Sequence, residues 1–165
     1  CILREAVVMQ MTWPGAPTVY YGDEAGMVGW TDPDNRRSYP WGKQDWELIE
    51  FHKDMIRIHK KYECFRSGSY KSIASGSHWI CYGRFNKKLQ AVILINNRRE
   101  MLTVDLPIWQ IGILENACLK RVVQTTQSTY NVGEVMERAE DGILHVTVGP
   151  QTASVYIAAK NVEEN

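Results

Sequence analysis

The sequence predicts a mixed fold: a short α/β segment running helix–strand–loop–helix, followed by an all-β antiparallel domain. Three observations carry this reading. Residues 2–62 hold two stretches of helical spacing on either side of a proline-broken apolar run, TVYY. After Ser67-Gly68 the hydrophobic period changes to two. From there, Gly, Asn and Asp turn signals separate a series of strand-length runs.

Each element follows from its residues. Ile2 to Met11 carries Leu3, Ala6, Val7, Gln10 and Met11 at helical spacing, and Val8 and Met9 make the other side apolar. That predicts a helix buried on most faces. Trp13-Pro14-Gly15 ends it, because proline cannot continue the ladder. Thr18 to Tyr21 is short, β-branched and aromatic, as in a strand covered on both faces. Gly22 to Lys43 is rich in glycine and proline, with Trp30, Tyr39 and Trp41 among Asp32, Asp34, Arg36 and Arg37. A loop of that length inside a compact domain is usually functional or disordered, and its aromatics argue against plain disorder.

Asp45 to Tyr62 predicts a second helix: Leu48, Phe51, Met55, Ile58 and Tyr62 step by three and four. Asp45 and Glu47 in its first turn and Lys60 and Lys61 in its last suit the macrodipole. Predicted strands follow at Ser69–Ala74, His78–Phe85, Leu89–Asn96, Met101–Leu106, Leu119–Thr125, Ile143–Val148 and Thr152–Ala158. Such strands make an antiparallel sandwich or barrel. The boundary falls between the two periods, dividing the chain into residues 1–66 and 67–165.

The 165 residues suit one domain or two small ones. Lysine plus arginine total 19, as do aspartate plus glutamate, so no basic footprint for nucleic acid exists. No apolar run reaches membrane-spanning length, and no signal-peptide pattern opens the chain. It starts at Cys1 and reads as a piece of something longer or as a processed product. Cys1, Cys64, Cys81 and Cys118 form no C-x-x-C pair. That argues against zinc and against a disulfide framework, and for buried thiols in a reducing, cytoplasmic setting.

Few residues offer chemistry of their own. Asp23 and Glu24, adjacent on an extended chain, would point to opposite sides and could not flank one bond as glycoside hydrolysis requires. One of them accepting hydrogen bonds at a strand end is the plainer role. Trp30 to Trp41 could stack on sugar rings while aspartate and arginine bond hydroxyls, or could be a loop pinned by Asp–Arg pairs. His52 and His59 lie seven apart with no third ligand beside them, so packing outweighs metal binding. His78 and His145 read as solvated strand residues. No phosphate-binding Gly loop and no Gly-x-Ser-x-Gly elbow is present. Nothing calls for a cofactor. Trp79, Tyr82, Trp109, Tyr130 and Tyr156 suit core packing better than a sugar platform.

PGAPTVYYGDEAGMVG, followed by TDPDNRRSYPW, resembles the C-terminal end of the α-amylase family of glycoside hydrolases, nearest the neopullulanase, cyclomaltodextrinase and amylopullulanase type. The motif is specific over Trp13 to Trp41; the rest matches in layout. The resemblance implies that residues 1–66 are the end of a (β/α)8 barrel, with Thr18 to Tyr21 its eighth strand, and that residues 67–165 are an antiparallel β-sandwich C-domain. It implies an α-glucan or maltooligosaccharide substrate and a partner in the rest of the barrel. The family's three catalytic acids lie on earlier strands, so no catalytic residue carries over. The D-P-x-x-R pattern does, as Asp32 and Arg36, which in similar enzymes bond a glucose unit. Asp23 and Glu24 match the family's Gly-Asp-Glu at the barrel rim. An isolated piece of this kind would be inactive, with residues 1–43 disordered or rearranged and exposed apolar surface prone to self-association. Two other roles remain open: a carbohydrate-binding module and a protein-interaction module.

Overall fold

The computed structural model describes residues 2–113 and 115–159. Helix α1 (Ile2–Thr12) buries Val7, Val8 and Met11. Helix α2 (Trp46–Lys61) turns Leu48, Phe51, Met55 and Ile58 to the same core. Asp45 caps its N-terminus by accepting from the Leu48 N–H at 2.9 Å. A short turn of helix, α3 (Cys64–Ser67), adds Cys64 and Phe65 to that core.

Eight strands follow: β1 (Ser69–Gly76), β2 (Trp79–Phe85), β3 (Leu89–Asn96), β4 (Leu102–Pro107), β5 (Cys118–Thr125), β6 (Tyr130–Arg138), β7 (Ile143–Val148) and β8 (Thr152–Ala159). Six form one antiparallel sheet in the order β1-β2-β3-β8-β5-β6, and β4 and β7 form a second. The chain leaves the large sheet after β3 and again after β6, each time adding a strand to the small one.

The period of two explains the layering. On β3, Ala91, Ile93 and Ile95 face the helices, while Val92 and Leu94 face the other way. On β8, Ala153, Val155 and Ile157 join the helical core, and Tyr156 and Ala158 join the second. That second core also takes Leu102 and Leu106 of β4 and Leu144, Val146 and Val148 of β7. The large sheet is therefore covered on both faces, which is why β3 reads as a near-continuous apolar run. Full burial of a side chain such as Phe51 or Ile93 stabilises by about 1.5–3 kcal/mol.

Helix α1 has no glycine cap at its C-terminus, and other elements supply the missing donors. His59 of α2 places Nδ1 2.7 Å from the Met11 carbonyl. The buried Arg84 of β2 donates to the Thr12 carbonyl at 2.6 Å and to the Gly68 carbonyl at 3.0 Å. The Thr12 hydroxyl lies 2.7 Å from the Val8 carbonyl and 2.6 Å from the Tyr82 hydroxyl. Trp13 then packs on Tyr70 and Tyr82, with ring centroids 4.9 Å and 5.1 Å away. The end of α1, and so the direction in which the chain leaves it, is held by α2 and the large sheet together.

Several expectations need correction. Thr18 to Tyr21 forms no strand; Val19, Tyr20 and Tyr21 are 37%, 60% and 52% exposed. Among the described residues no neighbouring strand exchanges ladder bonds with it, and a strand is not stable alone. Gln10 bonds the Thr18 carbonyl instead. Strand β6 was not expected: it is an edge strand, partly or fully exposed along its length, with Gly133 inside it, so neither its composition nor its pattern marks it. His78 sits in the turn before β2 with φ 62°, not in a strand. His52, by contrast, is packed as expected: it is buried, its Nδ1 2.9 Å from the Leu48 carbonyl. Cys64 and Cys81 are buried free thiols, but Cys118 is exposed, and Cys1 lies outside the described residues. No described helix is long and apolar enough to cross a membrane.

Candidate functional site

Among the described residues, the segment between α1 and α2 is a long connection rich in polar and aromatic side chains. Its base is tied down by backbone bonds: Met27 N–H to the Gly22 carbonyl at 3.0 Å, and Asp45 N–H to the Ala25 carbonyl at 3.1 Å. Gly22 takes φ 81° to start the tight turn, a conformation glycine adopts without a Cβ clash. Farther out, the loop closes on itself at Gly29, where a Cβ would lie 2.6 Å from the Asn35 Cα.

Asp23 and Glu24 lie in a single 3-10 turn, not on an extended chain. The Glu24 carboxylate lies close enough to the Tyr39 phenol for its charge to act on it. Partial desolvation, then the charge of Glu24, push the Tyr39 phenol's pKa up. Tyr39 also packs against Trp41 (4.7 Å between centroids) and Tyr21 (6.1 Å).

Beyond Tyr39 the loop carries two ion pairs. Arg36 Nε lies 2.8 Å from Asp32 Oδ1, with side chains 72% and 61% exposed. Asp34 accepts from Arg37 Nε at 2.9 Å and from the Trp30 backbone N–H at 3.0 Å. Arg37 first, then Trp30, hold the Asp34 carboxyl below the usual range. The two pairs thus differ in kind. Asp34–Arg37 pins the loop. Asp32–Arg36 stands in solvent, with carboxylate lone pairs and guanidinium N–H groups left for hydroxyls. Trp30 and Trp41, 84% and 80% exposed, share the loop with it.

The expected aromatic roles divide on the β side. Tyr82 and Tyr156 are core residues, Trp79 and Tyr130 are half-buried, and Trp109 is 60% exposed. Tyr130 packs on Phe51 at 4.6 Å and donates to Asp54 at 3.1 Å, tying β6 to α2. Among the described residues no three His, Cys, Asp or Glu side chains gather as metal ligands would. Two buried ionisable residues were not marked in advance: Arg84, and Glu5 on α1, which is 4% exposed. Only the period hinted at Arg84, placing it on the same face of β2 as Ile80 and Tyr82.

No family model matches the sequence. The homologues of this chain are α-amylase-family glycosidases, and the chain is similar to the C-terminal region of such enzymes. It is 39% identical over 82 residues to an amylopullulanase of Thermoanaerobacter thermohydrosulfuricus, which covers 50% of this chain and 6% of that protein. It is 36% identical over 113 residues to neopullulanase 2 of Thermoactinomyces vulgaris, covering 66% of this chain and 19% of that one. The chain therefore spans less than a fifth of the length of either relative. In three dimensions it superposes on an α-amylase of Anoxybacillus with a TM-score of 0.81 at 24% identity, over 98% of this chain and 33% of the other. At that identity the likeness concerns the fold.

Proposed function

We propose that the chain is the C-terminal part of an α-glucan-hydrolysing enzyme, supplying barrel closure, one substrate-contacting loop and a β-sandwich C-domain. Residues 1–66 would close the catalytic (β/α)8 barrel and residues 67–165 would form the C-domain. The observation that carries this reading is the Asp32–Arg36 pair, 2.8 Å apart and largely exposed on a loop with two exposed tryptophans. A pyranose ring offers vicinal hydroxyls, which a carboxylate and a guanidinium can bond together, and an apolar face, on which an indole stacks. In the intact parent, one carboxylate from the preceding barrel would attack the anomeric carbon. A second would protonate the leaving oxygen and then activate water, giving retention. Asp32 and Arg36 would hold a glucose unit near that centre without entering the chemistry.

The test is kinetic, in the intact parent. Asp32→Ala and Arg36→Ala should each lower kcat/KM for maltooligosaccharides by about tenfold or more, mostly through KM, since each removes charged hydrogen bonds to substrate. Unchanged kinetics in both variants would refute the role. One observation favours a second reading, a carbohydrate-binding module: Trp109, 60% exposed, lies over Gly142, where a Cβ would come within 2.9 Å of the Trp109 Cβ. Maltooligosaccharide binding that survives loss of Asp32 and Arg36 but not Trp109→Ala would select that reading.

A further inference from the structure

The two-stranded sheet of β4 and β7 gives one face to the second core and the other to solvent. Its outward residues stand in registered pairs, Thr103 opposite Thr147 and Asp105 opposite His145. The two threonine hydroxyls lie 3.0 Å apart, and His145 Nδ1 lies 2.7 Å from Asp105 Oδ1. Next along the strands, Pro107 and Ile143 form a half-buried apolar step. Trp109 ends the row. It belongs to the 3-10 turn Ile108–Ile111, whose two isoleucines go to the second core, so its indole is left on the solvent side.

That indole is held in place. The Trp109 N–H donates to the Gly142 carbonyl at 3.0 Å. Gly142 takes φ 73°, and a Cβ there would come within 2.9 Å of the Trp109 Cβ and 3.4 Å of its Cδ1, so the side chain lies against bare backbone. From Gly142 to His145 is three residues of extended chain, about 10 Å. An aromatic platform and a row of hydrogen-bonding groups therefore lie within reach of one linear ligand.

The chemistry of this face selects that ligand. With Nδ1 donating to the Asp105 carboxylate, His145 Nε2 is an acceptor, and Asp105 Oδ2 is a second. The threonine hydroxyls can donate or accept. No lysine or arginine stands among these outward residues, so a polyanion gains nothing here. An exposed indole by itself is ordinary, and polar cross-strand pairs by themselves stabilise a sheet. A ligand that uses both carries hydroxyl donors along one edge and an apolar face matched to an indole, as a chain of pyranose rings does.

We propose that the outer face of the β4–β7 sheet is an accessory α-glucan-binding surface, on which Trp109 stacks on one ring while Asp105, His145 and Thr147 bond the hydroxyls of the rings beside it. The proposal rests on the second reading above, that the β side binds carbohydrate, and says which face does so. The surface shares no residue with the Asp32–Arg36 loop, so one chain can hold glucan at both places.

The test is an NMR titration of the chain with maltoheptaose, with glycerol at matched hydroxyl concentration as the control. The expected result is saturable shifts at the Asp105, His145 and Thr147 amides and at the Trp109 indole N–H, with a Kd of about 1–10 mM. Trp109→Ala should abolish those shifts, and Trp109→Phe should restore part of the binding. His145→Ala, at an exposed position, should weaken it about fivefold or more and leave the melting temperature unchanged, so the proposal stays testable if the tryptophan variant does not fold. No saturable shift on this face up to about 20 mM, equal shifts with glycerol, or undiminished binding by both Trp109→Ala and His145→Ala would each overturn the proposal. Shifts confined to strands other than β4 and β7 would overturn it while leaving a carbohydrate-binding β side standing. Shifts confined to residues 30–41 would overturn it and leave the loop reading intact.

Discussion

Replacing Glu5 with glutamine should remove a pH-dependent weakness from the fold. Burial raises the Glu5 carboxyl from 4.5 to about 7. Below 4.5 the group is protonated in folded and unfolded chains alike and brings no ionisation cost. Between 4.5 and about 7 the unfolded chain gives up its proton while the folded chain retains it, so stability falls as pH rises. Above about 7 the loss is complete. At ~1.4 kcal/mol for each pH unit of separation, it amounts to about 3 kcal/mol as an upper value. Urea unfolding of the parent sequence and of Glu5→Gln, at matched pH values from about 4 to about 8, isolates this group, because the other carboxylates cancel in the difference. Glutamine should be near neutral at the acid end. At the alkaline end it should be the more stable by up to ~3 kcal/mol, less the cost of burying its own amide. A difference that does not change with pH, or a glutamine variant that is the less stable at pH 8, would show that Glu5 is solvated or paired and would refute the reasoning.

Arg84→Ala should cost about 3–5 kcal/mol, read as a lower urea midpoint. It removes two charge-assisted bonds, leaves the Thr12 and Gly68 carbonyls without that donor, and opens a cavity. Hydrogen exchange in the last turn of α1 should quicken more than in β3; a loss below about 1 kcal/mol would mean that water replaces the guanidinium at no cost. Asp45→Ala should cost about 1 kcal/mol through the Leu48 N–H, with Asp45→Asn recovering most of it; equal losses in the two variants would point away from capping.

How much of this was legible in the residues depended on whether local pattern and tertiary context agreed. Helix α2 was readable because Leu48, Phe51, Met55 and Ile58 repeat at the helical period and Asp45 and the lysines mark its ends. β7 was readable because ILHVTV alternates, and its burial alternates with it. Strand β6 was not: both faces of YNVGEVMER meet solvent to some degree, so no alternation was selected. The TVYY run misled for the opposite reason. Its composition fits a buried strand, but composition cannot provide the neighbours that make one, and in this chain those residues are exposed. At the candidate site, the motif singled out Asp32 and Arg36, and the structure pairs them. It could not show that Asp34 and Arg37 pin the loop, since all four charges look alike in sequence. Glu5 was invisible as a single letter, and Arg84 was hinted at only by its place on the Tyr82 face of β2; the importance of both comes from burial, which only packing reveals.

The account as a whole rests on the reacting acids lying outside these residues. The most direct measurement is reducing-end release from maltodextrin by the purified chain of verified mass, followed over hours at high protein concentration. No release above the buffer blank is the predicted result. Steady release that tracks the amount of chain added would contradict it, because the reacting acids would then have to lie within this chain.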